Sequence, residues 1–314
     1  SAQDVRNTAQ YSTGRSRFGR TFCRDPYLAR LRRHHYQHPH RRGRDCHRKG
    51  QHDMSNDEIV VEQDGHVLTI RLNRPDKLNA MTGEMDKKMN QLSFDINNDE
   101  SIRAVVLTGA GERAFCAGSD ITDLDSYGSN WEYRNRFDAH MDYARALHLV
   151  RKPIIAAVFG YVIGGGLEMC CASDIRLAAP NAQFGAGEIN WGWHGGSGQT
   201  QYLTHQIGAA NAARLLLTGE RIDAETALRT GLVQEIHPLD DLHAVAHDMA
   251  QSIAAKSPIA VQMTKQMIRM AQNTSLDVGL MVENNSFAYC MTTEDSVEGQ
   301  KAFAEKRTPE FKGK

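Results

Sequence analysis

The feature that most restricts the fold of this chain is an apolar run of twenty residues, from Pro153 to Ala172, that contains one charged residue, Glu168. Its length is close to that of a membrane span. The run nevertheless holds four glycines, three of them adjacent at 164–166, and each glycine weakens a lone helix by roughly 1 kcal/mol. It also begins with the strand-like sequence Ile-Ile-Ala-Ala-Val at 154–158. We therefore predict a buried strand, a turn and a buried helix, and no membrane segment.

A second acidic residue, Glu188, follows Glu168 by twenty residues, in a glycine-rich segment, and could share a site with it. Burying a carboxylate costs several kcal/mol or shifts its pKa, so such a group needs a reason to be there. Two carboxyl groups that face one site can divide the roles of acid and base. The residues alone also allow a purely structural role for both glutamates, in which Glu168 pairs within the core and Glu188 lies on a surface loop.

Charge divides the chain into two unlike parts. Residues 1–53 carry twelve Arg and one Lys against four Asp and no Glu, a formal charge of +9, whereas residues 54–314 carry −10. The first part has no apolar periodicity and is expected to be a basic, disordered extension. Three interpretations compete: a segment outside the functional unit, ahead of a start at Met54; a mitochondrial transit peptide; or a nucleic-acid-binding arm. The change of composition at Met54 favours the first.

From Met54 onward, strand and helix patterns alternate. Two strand patterns flank the turn Asp64-Gly65, and Thr82 is a suitable N-cap for the helical pattern that follows. Beyond Thr200 the pattern is mostly helical, and Pro258 begins a long amphipathic helix. The chain is predicted to be an α/β protein with crossover connections, a core at 54–255 and a helical region at 256–314.

Two glycine-bearing turns follow predicted strands, at 115–121 and at 159–168. Backbone N–H groups at the start of a helix carry partial positive charge, and two of them can converge on one oxygen as an oxyanion hole. Neither turn is a phosphate-binding P-loop, because no Lys-Ser or Lys-Thr follows the glycines. The GxGxxG spacing of a dinucleotide site is also absent.

Cysteine and histidine usage predicts no metal site. The six cysteines form no CxxC pair, and the histidines beyond Met54 lack the spacing of metal ligands. A reduced, cytoplasmic compartment is expected, or a mitochondrial one if residues 1–53 are a transit peptide.

Several ordered motifs together resemble the enoyl-CoA hydratase/isomerase (crotonase) superfamily, over about residues 57–312. They are Asn73-Arg74-Pro75 with Asn79-Ala80, Ala117-Gly118-Ser119-Asp120-Ile121, Gly160-Tyr161 with Gly164-Gly165-Gly166 and Glu168, Asp174, Phe184-Gly185 with Glu188, and Glu298-Gly299 through Phe311-Lys312.

The resemblance implies a crotonase-like spiral of ββα units with a C-terminal helical region that trimerises, often as a dimer of trimers. It implies an acyl-CoA thioester substrate, no cofactor beyond the CoA of that substrate, and an oxyanion hole made by the N–H groups of Ser119 and Gly165. Glu168 would activate water, held with help from the N–H of Gly196, and Glu188 would protonate the product. The implied CoA-binding residues are Lys77, Ala80, Ala117, Asp120, Ile121, Phe303 and Lys306.

The chain departs from the family pattern around the second glutamate. Gly187 and Gly195 stand where family hydratases usually have proline, and three unusual side chains follow Glu188. We expect an acyl pocket lined by Trp131, Trp191, Trp193 and His194, with buried packing of the tryptophans as the alternative. The predicted function is enoyl-CoA hydration. The alternatives are Δ3-Δ2-enoyl-CoA isomerisation or another acyl-CoA lyase or hydrolase reaction, and, outside enzymes, RNA binding through residues 1–53.

Overall fold

The computed structural model describes residues 57–120, 122 and 142–314. The basic extension at 1–53 lies outside the described residues, so its predicted disorder and its role stay predictions. The predicted boundary between the core and the C-terminal helical region, at 255/256, falls between two helices, Leu239–Ala254 and Pro258–Ala271.

A six-stranded sheet forms the centre of the described part. Its strands lie in the order β1-β2-β3-β5-β7-β10, and all neighbours are parallel except the hairpin β1–β2. The hairpin turns after Asp64, as its Asp-Gly signal predicts. The ranges are β1 Ile59–Asp64, β2 Val67–Leu72, β3 Ala104–Gly109, β5 Ile154–Val158, β7 Ile175–Ala178 and β10 Glu235–Ile236.

A second sheet of four short strands lies in the order β4-β6-β8-β9. Its strands are β4 Ala114–Cys116, β6 Tyr161–Ile163, β8 Gln183–Gly185 and β9 Arg221–Asp223. Each of β3, β5 and β7 in the large sheet is followed by one strand of the small sheet, and β5–β6 is followed at once by a helix. This repetition is the predicted spiral of ββα units, and it confirms the α/β fold class.

The described ranges contain nine α-helices. The first, α1, spans Gly83–Asn98, and Thr82 caps it by accepting a 3.2 Å hydrogen bond from the N–H of Met85. The others are α2 Tyr143–His148, α3 Gly165–Ala172, α4 Gln199–Thr218, α5 Ala224–Thr230, α6 Leu239–Ala254, α7 Pro258–Ala271, α8 Leu276–Met291 and α9 Glu294–Glu305. Short 3-10 turns span Pro75–Lys77 and Gly187–Trp191.

The apolar run at 153–172 has the structure that the sequence predicts. It forms β5, β6 and α3, and every residue of β5 and of α3 is buried. Among the described residues, no helix has the length and apolar character needed to cross a membrane.

The core lies on both faces of the large sheet. One apolar cluster lies under α1, α2, α3 and α4, and a second packs α6 against the opposite face through Leu242, Ala246 and Ala250. Cys116, Cys170 and Cys171 are buried in the first cluster as small apolar side chains.

The helix α7 is joined to the core by a buried charge. Lys265 is 6% exposed, and its Nζ contacts Asp174 Oδ2 and donates a 2.7 Å hydrogen bond to the carbonyl oxygen of Lys152. Asp174 Oδ2 also accepts from the N–H of Ile154, at 2.8 Å. This contact fixes the C-terminal region to the start of β5, the strand that leads into the turn before α3.

Candidate active site

The first of the two predicted turns follows β4. Its backbone is held by residue 81, because the N–H of Met81 donates to the Gly118 carbonyl and the N–H of Asp120 donates to the Met81 carbonyl, both at 2.8 Å. This pattern is a parallel bridge between Met81 and Ser119. It leaves the N–H of Ser119, between the two bonded positions, directed away from the bridge.

The second turn joins β6 to α3. Gly164 precedes the helix with φ of +55°, a conformation that a side chain rarely adopts, and its N–H donates to the Gly185 carbonyl at 3.1 Å. The N–H of Gly165 is therefore the first of the helix and has no intrahelical acceptor.

The two turns lie against each other, backbone to backbone. A Cβ atom at Gly118 would lie 3.3 Å from the nitrogen of Gly165. Within the described ranges, no residue accepts a hydrogen bond from the N–H of Ser119 or of Gly165. The predicted oxyanion-hole donors are thus brought together, and each is free to donate to one ligand oxygen.

Glu168 lies one turn into α3 and is 3% exposed. Its Oε1 accepts a 3.1 Å hydrogen bond from the N–H of Ser197. Burial raises the pKa of this carboxyl to about 7, and the charges of Glu188 and Asp142 act in the same direction, whereas the hydrogen bond from Ser197 opposes the shift. A carboxyl with this pKa can accept or release a proton near neutral pH.

Glu188, in the 3-10 turn after β8, reaches the same glycine turn. Its Oε1 would lie 2.9 Å from a Cβ at Gly164, and it accepts a 3.1 Å hydrogen bond from Gln199 Nε2. The Oε2 atom is buried and has no hydrogen-bond partner among the residues described. Burial raises the pKa of Glu188, partly offset by the Gln199 hydrogen bond. Glu188 therefore lies at the turn that leads into α3, near enough to Glu168 for its charge to raise the pKa of that carboxyl.

The predicted CoA-binding residues near the first turn also lie together. Arg74 joins them, because its Nη1 donates to the Ala80 carbonyl at 2.6 Å and to Asp120 Oδ2 at 3.1 Å. The N–H of Ala117 donates to the carbonyl of Leu78 at 3.0 Å. Lys77 lies exposed at the end of the 3-10 turn that precedes Leu78. Ile121 is outside the described residues.

The residues predicted to line the acyl pocket are exposed wherever the structure describes them. Trp191 is 74% exposed and Trp193 is 49% exposed, so the alternative of buried packing does not hold for these two within the described chain. His194 is exposed too, and Trp131 lies outside the described residues. The acyl pocket stays a prediction.

The last two of the implied CoA-binding residues lie in the C-terminal helix and directly after it. Phe303, in α9, is 88% exposed, and Lys306 follows that helix as an exposed residue with φ of +56°. Their proposed contact with CoA also stays a prediction.

Two residues that bond to the glutamates were not assigned a role from the sequence. Gln199 is 1% exposed and bonds to Glu188, and Ser197 supplies the N–H that bonds to Glu168. Gly196, predicted to help position water, directly precedes Ser197. The glycine-rich spacing located this loop, but spacing alone does not reveal which of its N–H groups turns toward a carboxylate.

Groups of three or more His, Cys, Asp or Glu side chains that could hold a metal ion are absent from residues 57–120, 122 and 142–314.

Comparison with known proteins gives one consistent result. The family model for enoyl-CoA hydratase/isomerase matches residues 62–314. The short-chain-enoyl-CoA hydratase of Clostridium acetobutylicum is 37% identical over 254 residues, which is 81% of this chain and 97% of that protein. The (E)-benzylidenesuccinyl-CoA hydratase of Thauera aromatica is 37% identical over 81% of this chain and 99% of its own length.

Solved structures agree with the sequence comparison. The crystal structure of an enoyl-CoA hydratase from Bacillus anthracis superposes with a TM-score of 0.78 at 35% identity, covering 82% of this chain and all of that one.

Proposed function

The chain belongs to the enoyl-CoA hydratase/isomerase family, and from this we propose that it catalyses the reversible addition of water to a 2-enoyl-CoA thioester. The observation that carries the proposal is that two carboxyls stand at the turn that presents the Gly165 N–H: the buried Glu168, in the helix that begins there, and the half-buried Glu188, whose Oε1 lies against Gly164.

The oxyanion hole supplies the electrostatic part of the mechanism. The thioester carbonyl oxygen binds between the N–H groups of Ser119 and Gly165, which have no acceptor among the described residues. When water adds to Cβ, the π electrons of the double bond move toward this oxygen and an enolate forms. Preorganised donors of this kind stabilise such a charge, and removing one typically costs about 3–4 kcal/mol.

The two glutamates move the protons. Glu168, ionised, takes a proton from the attacking water as its oxygen bonds to Cβ. Glu188, protonated, gives a proton to Cα as the enolate returns to a thioester. The pKa of about 7 lets Glu168 exchange a proton near neutral pH, and the raised pKa of Glu188 favours its protonated form, as a proton donor needs. Dehydration of a 3-hydroxyacyl-CoA follows the same steps in reverse.

The CoA part is proposed to lie along Lys77, Ala80, Ala117, Asp120 and Ile121. The network of Arg74 with Ala80 and Asp120 supports this placement, since it fixes the two segments against each other. The reaction moves only protons and one C–O bond, so we assign it no cofactor beyond the CoA of the substrate.

A homotrimer or a dimer of trimers is proposed for the assembly. Helix α8 supports it, because none of its residues is buried although the helix is largely apolar; Leu276, Leu280, Met281 and Phe287 are 49–76% exposed. Apolar patches of this extent commonly mark protein interfaces. In such an assembly the exposed Phe303 and Lys306 would reach the CoA of a neighbouring subunit.

Incubation with crotonyl-CoA tests the proposed activity. The absorbance of the conjugated enoyl thioester should fall as water adds, and it should fall equally fast with a chelator present. A protein that leaves crotonyl-CoA unchanged but converts a 3-enoyl-CoA into the conjugated 2-enoyl isomer would instead be an isomerase, a reaction that needs chiefly Glu188.

A further inference from the structure

A buried tyrosine, outside the proposed catalytic pair, contacts both turns of the oxyanion hole. Tyr143 is the first residue of α2 and is 6% exposed. Asp142 fixes the start of that helix by accepting hydrogen bonds from the N–H groups of Ala144, at 3.0 Å, and Arg145, at 2.9 Å. The phenol ring is therefore held by the core and by a capped helix.

The hydroxyl of Tyr143 is bonded to the first turn. Its oxygen lies 3.1 Å from Ser119 Oγ, within hydrogen-bond distance, and either oxygen can be the donor. The side chain of Ser119 is thus tied to Tyr143, while its backbone N–H is one of the two proposed oxyanion donors.

The same hydroxyl lies directly against the second turn. A Cβ atom built on Gly165 would overlap the Tyr143 oxygen and would lie 2.8 Å from the Cζ atom of its ring. Contacts below 3.0 Å are sterically forbidden, so position 165 must be glycine as long as the phenol occupies this space. Tyr143 therefore touches both residues whose N–H groups are the proposed oxyanion donors.

Electrostatics keep this hydroxyl neutral. Burial, followed by the charge of Glu168, holds the pKa of Tyr143 well above its usual range. The phenol can thus bond to Ser119 without placing a negative charge beside a site that must stabilise an enolate.

We propose that Tyr143 is a positioning residue of the oxyanion hole, which holds the Ser119 turn and the Gly165 turn at the separation that lets both N–H groups bond to one oxygen. The proposal rests on the proposed hydratase function. Its physical basis is that oxyanion donors act over a narrow range of distances, and a misplacement of about 1 Å can cost ~10²-fold in rate.

The test compares full-length Tyr143→Phe with the unmodified protein on crotonyl-CoA. The variant keeps the ring and removes only the hydroxyl. Its kcat should fall roughly threefold to tenfold, the range that one neutral hydrogen bond supplies, with KM changed less than twofold. A bound aryl-enoyl-CoA, whose absorbance moves to longer wavelength when its carbonyl is polarised, should show a smaller shift in the variant.

A second variant removes the other end of the same hydrogen bond. Ser119→Ala keeps the backbone N–H and should lower kcat by a similar factor. The double variant should be no slower than the slower single variant, because the two changes delete one interaction. Tyr161→Phe is the matched control: its half-buried ring lies over Arg221, 5.2 Å from the guanidinium carbon to the ring centroid, and its kcat should stay within twofold of the unmodified value.

Three results would overturn the proposal: an unchanged kcat in Tyr143→Phe, losses that multiply in the double variant, or a loss confined to KM. If Tyr143→Phe does not fold, Ser119→Ala decides alone, and an unmodified rate in that variant overturns the proposal. Inactivity of the unmodified protein would contradict the proposed function instead, so the two failures are distinguishable.

Discussion

The Oε1 atom of Glu168 lies 3.1 Å from the backbone nitrogen of Ser197, which is 29 residues further along the chain and donates a hydrogen bond to it. This contact joins the buried helix α3 to the loop ahead of α4. It gives the buried carboxylate one fixed donor, while burial still holds the pKa of Glu168 at about 7. The ionised form of Glu168 is therefore stabilised enough to be reached near neutral pH, but not enough to lose its basicity.

This balance predicts a dependence of stability on pH. The pKa of Glu168 is about 7 in the folded chain against an ordinary value of 4.5. Below pH 4.5 both the folded and the unfolded chain hold the proton, and between about 4.5 and 7 the unfolded chain loses it first. Glu168 should therefore destabilise the fold progressively over this window, by up to about 3 kcal/mol above pH 7.

Glu168→Gln should accordingly raise the melting temperature at pH 8 and have little effect at pH 4.5, because the amide stays neutral and its oxygen can still accept from Ser197. Thermal unfolding at both pH values measures this. Glu112→Gln, on an exposed loop, is the control and should change neither melting temperature. A lower melting temperature for Glu168→Gln at pH 8 would show that the buried charge is not costly.

Gln199 should orient Glu188. Its Nε2 donates to Glu188 Oε1 at 3.1 Å, and its side chain is 1% exposed. Gln199→Leu should lower kcat about tenfold and leave KM nearly unchanged, because the proton donor loses its fixed direction. Losing a hydrogen bond to the ionised form also raises the pKa of Glu188 further, so the alkaline limb of the pH–rate profile should move to higher pH.

The exposed Gln201→Leu is the matched control for Gln199→Leu. If both variants retain full kcat, or both lose it equally, Gln199 has no orienting role.

The sequence predicts part of this site and leaves part of it unpredicted. The strand, turn and helix at 153–172 follow from an apolar run with adjacent glycines, whereas the pairing of Ser119 with Gly165 is implied by the family resemblance. The pairing of Tyr143 with Ser119 does not follow, because it depends on how α2 packs against α1 and α3. Long-range side-chain contacts of this kind have no local spacing signal in the sequence.

The position of Lys265 shows the same limit. The apolar spacing after Pro258 predicts helix α7, but the residue of that helix that is buried is the lysine that meets Asp174. The periodicity predicts a helix, whereas tertiary charge pairing decides which of its side chains is buried.

Helix α8 should carry the subunit interface. Phe287 is 64% exposed in the isolated chain, and Phe287→Glu should convert the assembly into a smaller species, because a charge there would be buried without a partner. Light scattering measures the mass. Leu217→Glu changes a residue of α4 that is 73% exposed, and it should leave the mass unchanged. A monomeric unmodified protein would contradict the proposed assembly directly.

Residues 1–53 should be dispensable. Their composition offers no apolar face, so they gain too little on ordering to offset roughly 1–2 kcal/mol of backbone entropy per residue. A protein beginning at Met54 should keep the melting temperature, mass and hydratase rate of the longer chain. Salt-dependent RNA binding by the longer chain alone would reveal a function of this segment, and loss of assembly on truncation would show that it packs on the body.

The two-glutamate mechanism is tested most directly by the turnover of crotonyl-CoA in Glu168→Gln and in Glu188→Gln. Each amide keeps the size of the side chain but handles no proton, so each variant should lose at least ~10²-fold in kcat. Both variants should still bind a saturated acyl-CoA as the unmodified protein does, since the oxyanion-hole donors are backbone groups. Turnover within a few-fold of the unmodified rate in either variant, with binding intact, would contradict the mechanism.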